Sequence, residues 1–235
     1  MYAKYIKRIL DFIVSLTALL LLLPILLILA IIGAIMMRGN PFFVQSRPGR
    51  IDVKTGEEKI FKLIKFRTMA NITDGEGNLL PDEKRLNKYG AMLRKTSLDE
   101  LPEIWNIVVG DMSIVGPRPQ LVKDMVFMTP EQRRRHHIRP GLTGLAQVNG
   151  RNNISWEEKL RFDLEYMKEI TFIGDVKILF RTIGKVFKGD DVVREGTASD
   201  LDFGDSLLKD GKITEEDYKR LLEEAKKILA EQEKE

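Results

Sequence analysis

The sequence predicts an α+β fold, mostly helical. An N-terminal re-entrant membrane helix precedes a globular part made of a small β-hairpin or sheet and amphipathic surface helices. Three observations predict it. Residues 12–37 carry no charge, Pro41 to Met69 is rich in Phe and Ile with near-alternation, and two later stretches repeat apolar residues at helical spacing. The averages of 43% hydrophobic and 31% charged residues look soluble, because the apolar residues are gathered at one end. A length of 235 residues fits one domain of ordinary size plus an appendage.

The uncharged run FIVSLTALLLLLPILLILAIIGAIMM would make a straight helix of about 39 Å, longer than the ~30 Å of membrane hydrocarbon. A secretory signal peptide is disfavoured, since its apolar region would be shorter and Met36-Met37-Arg38-Gly39 is a poor cleavage site. Lys4, Lys7 and Arg8 precede the run and Arg38, Arg47 and Arg50 follow it, whereas a spanning helix keeps its cations on one side. Pro24 divides the run into arms of about 20 Å, too short to cross, and removes a backbone hydrogen bond where a bend would fall. These features favour a helix that enters and leaves by one face; a single spanning helix is the alternative. No second apolar run exists, so residues 38–235 are expected on one side.

Within Pro41–Met69 we expect strands FFVQSR and KIFKLIKFRTM, with turns around Pro48-Gly49 and Lys54-Thr55-Gly56. Asn71–Asp82 is polar and reads as a surface loop, and Glu83–Leu93 as a helix. Ser155 and Glu158 form a capping box opening a helix whose apolar face is Trp156, Leu160, Leu164 and Met167. Val176–Phe187 sets Val176, Leu179, Phe180 and Ile183 against Lys177, Arg181, Lys185 and Lys188; this basic amphipathic helix could lie on a membrane surface or pack on the core. Beyond Gly189-Asp190-Asp191 the chain turns acidic. Residues 191–235 hold 8 Lys/Arg and 14 Asp/Glu, a net −6, which leaves +9 on residues 1–190 and points to anionic partners such as phosphates or headgroups. The terminal stretch restarts as a helix after Gly211 and is read as an accessory or oligomerisation element. The absence of cysteine excludes disulfides and Cys-based zinc, and suits a reducing compartment.

Chemistry concentrates in LRKTSLDELPEIWNIVVGDMSIVGPRP, residues 93–119. Ser97 and Glu100 also fit a capping box, with Asp99 and Glu100 as ordinary first-turn acids, or Pro102 could open the helix with the acids just ahead of it. Neither placement excludes a reactive carboxylate. A helix start and nearby cations would keep Asp99 ionised, and an ionised Asp can attack phosphorus and split a transfer into two steps. Glu100 could help hold a divalent metal or handle a proton. Lys65, Arg67, Arg94 and Arg118 are candidates to neutralise the transferring oxygens, each with plain surface charge as the alternative. In RRRHHIRPGLTGLAQVNGRN, residues 133–152, no Gly-Lys-Ser/Thr follows the glycines, so this is not a Walker A loop. Thr143, Gln147, Asn149 and Arg151 could approach a nucleotide, although a folded turn explains the glycines equally. His136 and His137 are expected to contact solvent or headgroups and not zinc.

Taken together, the Pro-interrupted apolar run, FKLIKFRTM, LRKTSLDELPEIWNIVVGDMSIVGPRP and RPGLTGLAQVNGRN resemble the bacterial monotopic phosphoglycosyl transferases, also called bacterial sugar transferases or undecaprenyl-phosphate sugar phosphotransferases, over about residues 5–190. The length matches the small, catalytic-domain-only members. The resemblance implies a re-entrant helix over residues 1–38 and a catalytic domain over 39–190 on the cytoplasmic face of the bacterial inner membrane; the acidic linker and helical appendage over 191–235, read from composition, lie outside it. It implies an Asp99-Glu100 dyad with Mg²⁺. Asp99 would attack the β-phosphate of a UDP-sugar, release UMP and hold the phospho-sugar covalently; undecaprenyl phosphate would then take it, the first membrane step of glycoconjugate synthesis. Arg94 and Arg118 would read phosphates with Lys65 assisting, and Arg139, Thr143, Gln147 and Arg151 would contact nucleotide or sugar. The partners implied are UDP-sugar, undecaprenyl phosphate and membrane lipids, with a homodimer left open and no nucleic acid. Small members often place Ser-Pro at the helix break, where this chain has Leu23-Pro24. Two other classes stand beside this expectation. One is a non-catalytic adaptor binding polyprenyl phosphate. The other is a UDP-releasing glycosyltransferase, for which the sole Asp-x-Asp, Asp200-Leu201-Asp202, lies unhelpfully in the tail.

Overall fold

The computed structural model describes residues 1–150, 153–188 and 201–232; Arg151, the Gly189-Asp190-Asp191 linker and Asp200 lie outside the described residues. A π-helical turn, Tyr2–Ile6, runs into α1, Lys7–Met37, which stays helical through Pro24 and ends where Arg38 turns left-handed at φ 51°. Tyr2–Met37 is long and apolar enough to cross a membrane, and only 11% of its most apolar stretch is buried. Both ends of this helix are tied to the same globular domain. At the N-terminal end, Arg8 donates to the carbonyls of Ile107 (2.6 Å) and Val108 (2.8 Å), and buried Asp11 accepts from Ser113 Oγ (2.6 Å) and Ile114 N (3.2 Å). Tyr2 and Lys7 both donate to Asp175, at 2.7 and 2.6 Å. At the other end, Leu29 and Met37 are buried with Phe66, Tyr89 and Leu93. The Tyr89 hydroxyl donates to the Leu29 carbonyl at 2.7 Å, and a Cβ on Gly33 would stand 3.1 Å from that hydroxyl oxygen.

β1, Phe42–Ile51, pairs antiparallel with β2, Glu58–Phe66, from Phe42↔Phe66 to Ile51↔Glu58. The expected turn at Pro48-Gly49 is instead a register shift inside β1. Proline lacks the N–H a regular ladder needs, so the irregularity falls there and the hairpin turns later, at Asp52–Gly56. Alternation along β2 sends Phe61, Leu63 and Lys65 to one side, two apolar residues and a cation entering the domain together. The expected helix over Glu83–Leu93 is divided into α2, Asp82–Arg85, and α3, Lys88–Thr96, because Leu86 bridges Met69 and Asn87 caps α3 through Gly90 N.

A 3₁₀ turn, Leu98–Glu100, leads through Leu101-Pro102 into α4, Glu103–Val109. Ser97 is left-handed (φ 54°) and ends α3, so the capping-box expectation does not hold and the acids lie ahead of the helix. α4 is docked by one side chain. Buried Asn106 accepts from Ile64 N (3.2 Å) and donates to Lys62 O (2.8 Å), extending the outer edge of β2 as a further strand would.

β3, Ser113–Val115, and β4, Gly141–Thr143, pair in parallel. Here the glycines serve backbone-to-backbone approach: a Cβ on Gly141 would lie 2.1 Å from Gly116 N, and one on Gly144 2.1 Å from Gly116 O. Between them lie α5, Val122–Met125, α6, Pro130–Arg133, and a 3₁₀ turn, Arg134–His137; α7, Leu145–Val148, follows β4. α8, Trp156–Lys168, starts at the predicted Ser155–Glu158 box, but its buried stripe is Leu160, Asp163 and Tyr166. α9, Phe172–Lys188, buries Asp175 and Ile178 and leaves Phe172, Ile173, Phe180 and Ile183 exposed, Phe180 at 71%. The C-terminal hairpin, α10 (Phe203–Lys209) and α11 (Glu215–Gln232), docks on the domain: Phe203 and Ala225 join a core with Val122, Met125, Val126, Phe127, Met128 and Leu160.

Candidate active site

The site is assembled where β2, the 3₁₀ turn, the start of α4 and the Pro117-Arg118-Pro119 loop meet. From β2, Lys65 reaches Glu100 Oε1 at 3.1 Å and Glu103 Oε1 at 2.9 Å. From the loop, Arg118 Nη2 donates to the same Glu100 Oε1 at 2.6 Å. Two cations thus share one carboxylate oxygen. Glu100 and the field of Glu103 and Asp99 behind it hold the Arg118 guanidinium charged well above its usual range. Asp99 is half-buried beside this cluster. Four of the chemistry-bearing residues named from sequence, Asp99, Glu100, Lys65 and Arg118, therefore come together.

Glu103 was not singled out from sequence. It is 2% exposed, and burial raises its pKa against the opposing pull of Lys65. Its Oε1 meets Lys65 as an ion pair but has no aligned hydrogen bond. Arg47 was also missed as a site residue. It lies on β1 beside Arg118, donates to Gln45 Oε1 at 2.7 Å and Pro119 O at 3.3 Å, and keeps a buried Nε without a partner. Burial, with the like charge of Arg118, lowers its pKa to about 10.

The other predicted residues take different places. Arg94 donates to Thr68 Oγ1 at 3.0 Å, brought there because Gly90, one turn earlier, lets α3 press against the Thr68 carbonyl. Arg67 donates weakly to Phe42 O at 3.4 Å. Arg139 donates to Gly110 O at 2.7 Å, at the end of α4 remote from Glu103. Thr143 shares a 2.6 Å hydrogen bond with Thr182, and the Gln147 amide donates to Leu142 O at 3.2 Å. His136, expected at the surface, is a core residue instead: its Nδ1 pairs with Glu58 at 3.0 Å, while His137 is exposed.

The donor set bears on metal binding. Asp99 and Glu100 offer hard carboxylate oxygens, and among the described residues no group of three or more His, Cys, Asp or Glu is arranged to hold an ion. Mg²⁺ is commonly held by one or two carboxylates together with substrate phosphates, and the Asp99-Glu100 pair offers oxygens of that kind.

The profile of the bacterial sugar transferase family matches residues 2–189. Similar proteins include the uncharacterized sugar transferase EpsL of Bacillus subtilis (strain 168), 48% identical over 66% of this chain and 74% of EpsL. Exopolysaccharide production protein ExoY of Sinorhizobium fredii is 33% identical over 77% of this chain and 84% of its own length. The UDP-glucose:undecaprenyl-phosphate glucose-1-phosphate transferase of Escherichia coli (strain K12) is 35% identical over 78% of this chain but only 40% of that protein. The UDP-galactose-lipid carrier transferase of Erwinia amylovora is likewise matched over 42% of its length. With the match running through the apolar helix, Lys65, the Asp99-Glu100 pair and Arg118, the chain belongs to the bacterial sugar transferase family.

Proposed function

We propose that the protein transfers a sugar-1-phosphate from a UDP-sugar to undecaprenyl phosphate through a covalent phospho-sugar on Asp99, releasing UMP. The observation that carries this reading is the convergence of Lys65 and Arg118 on Glu100 beside Asp99. Phosphoryl transfer asks the protein mainly for a positioned nucleophile and for cations where negative charge gathers. In the first step an Asp99 oxygen forms a bond to the β-phosphorus while the bond from that phosphorus to the bridging oxygen breaks, and UMP carries the oxygen away. In the second, a phosphate oxygen of the lipid attacks the same phosphorus and frees Asp99. Arg118 and Lys65 neutralise the phosphoryl oxygens in both steps, and Glu100 holds the two cations in place. Asp99 and Glu100 would hold Mg²⁺, which supplies Lewis-acid neutralisation of phosphate charge when bound.

The relatives named for UDP-glucose and UDP-galactose support a hexose-carrying UDP donor and a lipid acceptor, and those named for exopolysaccharide production support a place in polysaccharide synthesis. Attachment of residues 2–11 and 29–37 of one helix to one domain supports the re-entrant reading; the side on which we place the domain is the cytoplasmic one. The exposed apolar side chains of α9, with Trp105 and Val109 on α4, support contact with the lipid surface. The experiment is nucleotide release by detergent-solubilised protein with Mg²⁺, undecaprenyl phosphate and a panel of UDP-sugars. UMP that requires lipid and Asp99 upholds the reading; UDP would assign a glycosyltransferase, and no nucleotide from any sugar a binding adaptor.

A further inference from the structure

The loop that carries Arg118 has an unusual anchoring problem. Pro117 and Pro119 have no N–H, so the backbone of the tripeptide can be fastened only through its carbonyls and the single Arg118 N–H. All three carbonyls are taken. Gly141 N donates to Pro117 O at 2.8 Å, Arg135 Nη2 to Arg118 O at 2.5 Å and Arg47 Nη1 to Pro119 O at 3.3 Å. Two of the three donors are arginine side chains from distant parts of the sequence.

Arg135 is itself fixed. It is 1% exposed, and its Nε and Nη2 both reach Asp163 Oδ2, at 2.9 and 2.8 Å, with Asp163 2% exposed on α8. A fully buried ion pair is a costly way to hold a fold together, since an apolar pair of the same volume often does as well. It does supply a rigid, charged donor at a set point, and that donor is spent on the Arg118 carbonyl. Arg47 is fixed by Gln45 on its own strand.

We propose that Arg47 and Arg135, the latter oriented by Asp163, are positioning residues that hold the Pro117-Arg118-Pro119 backbone so that the Arg118 guanidinium meets Glu100 and the substrate phosphates. The proposal deepens the phosphoglycosyl transfer reading and rests on it for its consequence in catalysis. Neither arginine needs to touch substrate; both act through Arg118.

The test uses full-length Arg47→Gln and Arg135→Lys, the second keeping a buried cation opposite Asp163. Amide hydrogen exchange reports on the loop without reference to turnover. Exchange at Gly116 and Gly141, whose N–H groups bond to Thr143 O and Pro117 O, is expected to quicken about tenfold in either variant while β2 and α8 keep wild-type protection. Turnover of UDP-glucose and UDP-galactose gives the second reading. Each variant loses about tenfold in kcat/KM, and in an Arg118→Ala background the same substitutions cost less than about twofold, because nothing is left to position. Unchanged exchange at Gly116 and Gly141, or an equal loss with and without Arg118, overturns the proposal. A wild-type protein that releases no UMP, with the loop response intact, removes the transferase reading and leaves the clamp standing.

Discussion

Glu100 accepts from Lys65 and Arg118 on one oxygen, so the residues of this site cannot be changed independently. Asp99 adds its charge to the same cluster, helping to hold the Arg118 guanidinium charged, and Asp99→Asn is nearly isosteric at a half-buried position. It is expected to abolish lipid-dependent UMP release while moving the thermal midpoint little; retained turnover would remove the nucleophile assignment. Lys65→Ala should behave differently. It leaves Glu103, nearly sealed from solvent, and Glu100 without their shared cation, and removing one partner of a buried pair costs about 3–5 kcal/mol. Lys65→Ala is therefore expected to lose both turnover and several kcal/mol of stability to denaturant, whereas a Lys65→Ala protein as stable as wild type would show that the ion pairs are solvated. At this scale the sequence was informative where chemistry is local. The Leu98–Pro102 stretch displayed its acids, and strand alternation put Lys65 on the inward side with Phe61 and Leu63. It was silent on Arg135 and Asp163, which look like one cation in a basic run and one acid on a helix. Their meaning depends on a contact between residues 28 apart, to which no local pattern corresponds.

Single side chains also decide how whole elements sit. α4 has seven residues, too short to be stable by itself, and the Asn106 amide bonds it to the outer edge of β2. Asn106→Ala leaves Ile64 N and Lys62 O without these partners, and each unmet buried group costs about 1–3 kcal/mol. A fall of about 2–4 kcal/mol in unfolding free energy is expected. Equal stability of Asn106→Ala would mean that water replaces the amide. The turn bearing His136 is tied to β2 in the same way, through Glu58. Burial lowers the His136 pKa from 6.5 to about 4, in spite of the Glu58 hydrogen bond, so the fold favours the neutral ring. A base whose folded pKa lies below its unfolded one stabilises the protein above the unfolded value, and that stability drains as pH falls from about 6.5 to 4. A shift of this size corresponds to about 3 kcal/mol. Thermal midpoints measured from pH 7.5 to 4.5 should therefore decline, and His136→Gln should flatten the decline; a flat wild-type profile would show that the ring is protonated in the fold. The elements read correctly from sequence were those with local signals, such as the Ser155 box of α8. The Pro48-Gly49 pair was misjudged as a turn because a bulge in a paired strand uses the same residues, and only the partner strand tells the two apart.

For the whole molecule the governing question is how one helix can be apolar enough to enter a bilayer and still touch a single domain at both ends. From Arg8 to Leu29 a straight helix covers about 32 Å, close to the full hydrocarbon thickness. If α1 crossed the membrane, residues near Arg8 and near Leu29 would lie on opposite faces, and no one domain could bond to both. Yet Arg8 caps α4 while Tyr89, from α3, bonds to the Leu29 carbonyl, and Asn87 bonds to Met36 O at 3.2 Å. In the proposed re-entrant arrangement the same contacts would account for the cations flanking both ends of the apolar run, each end then lying near the surface on one side. The absence of cysteine makes a clean test available. Ala3→Cys reports on the N-terminal end, and Val53→Cys, at 86% exposure in the hairpin turn, reports on the domain. A membrane-impermeant maleimide should label both in inverted inner-membrane vesicles and neither in intact spheroplasts, with both labelled once spheroplasts are lysed. Labelling of Ala3→Cys, but not Val53→Cys, from outside the spheroplast would establish a spanning helix. It would also require that the bonds of Tyr2, Lys7, Arg8 and Asp11 to the domain be absent in the membrane, a demand that the four connections together make severe.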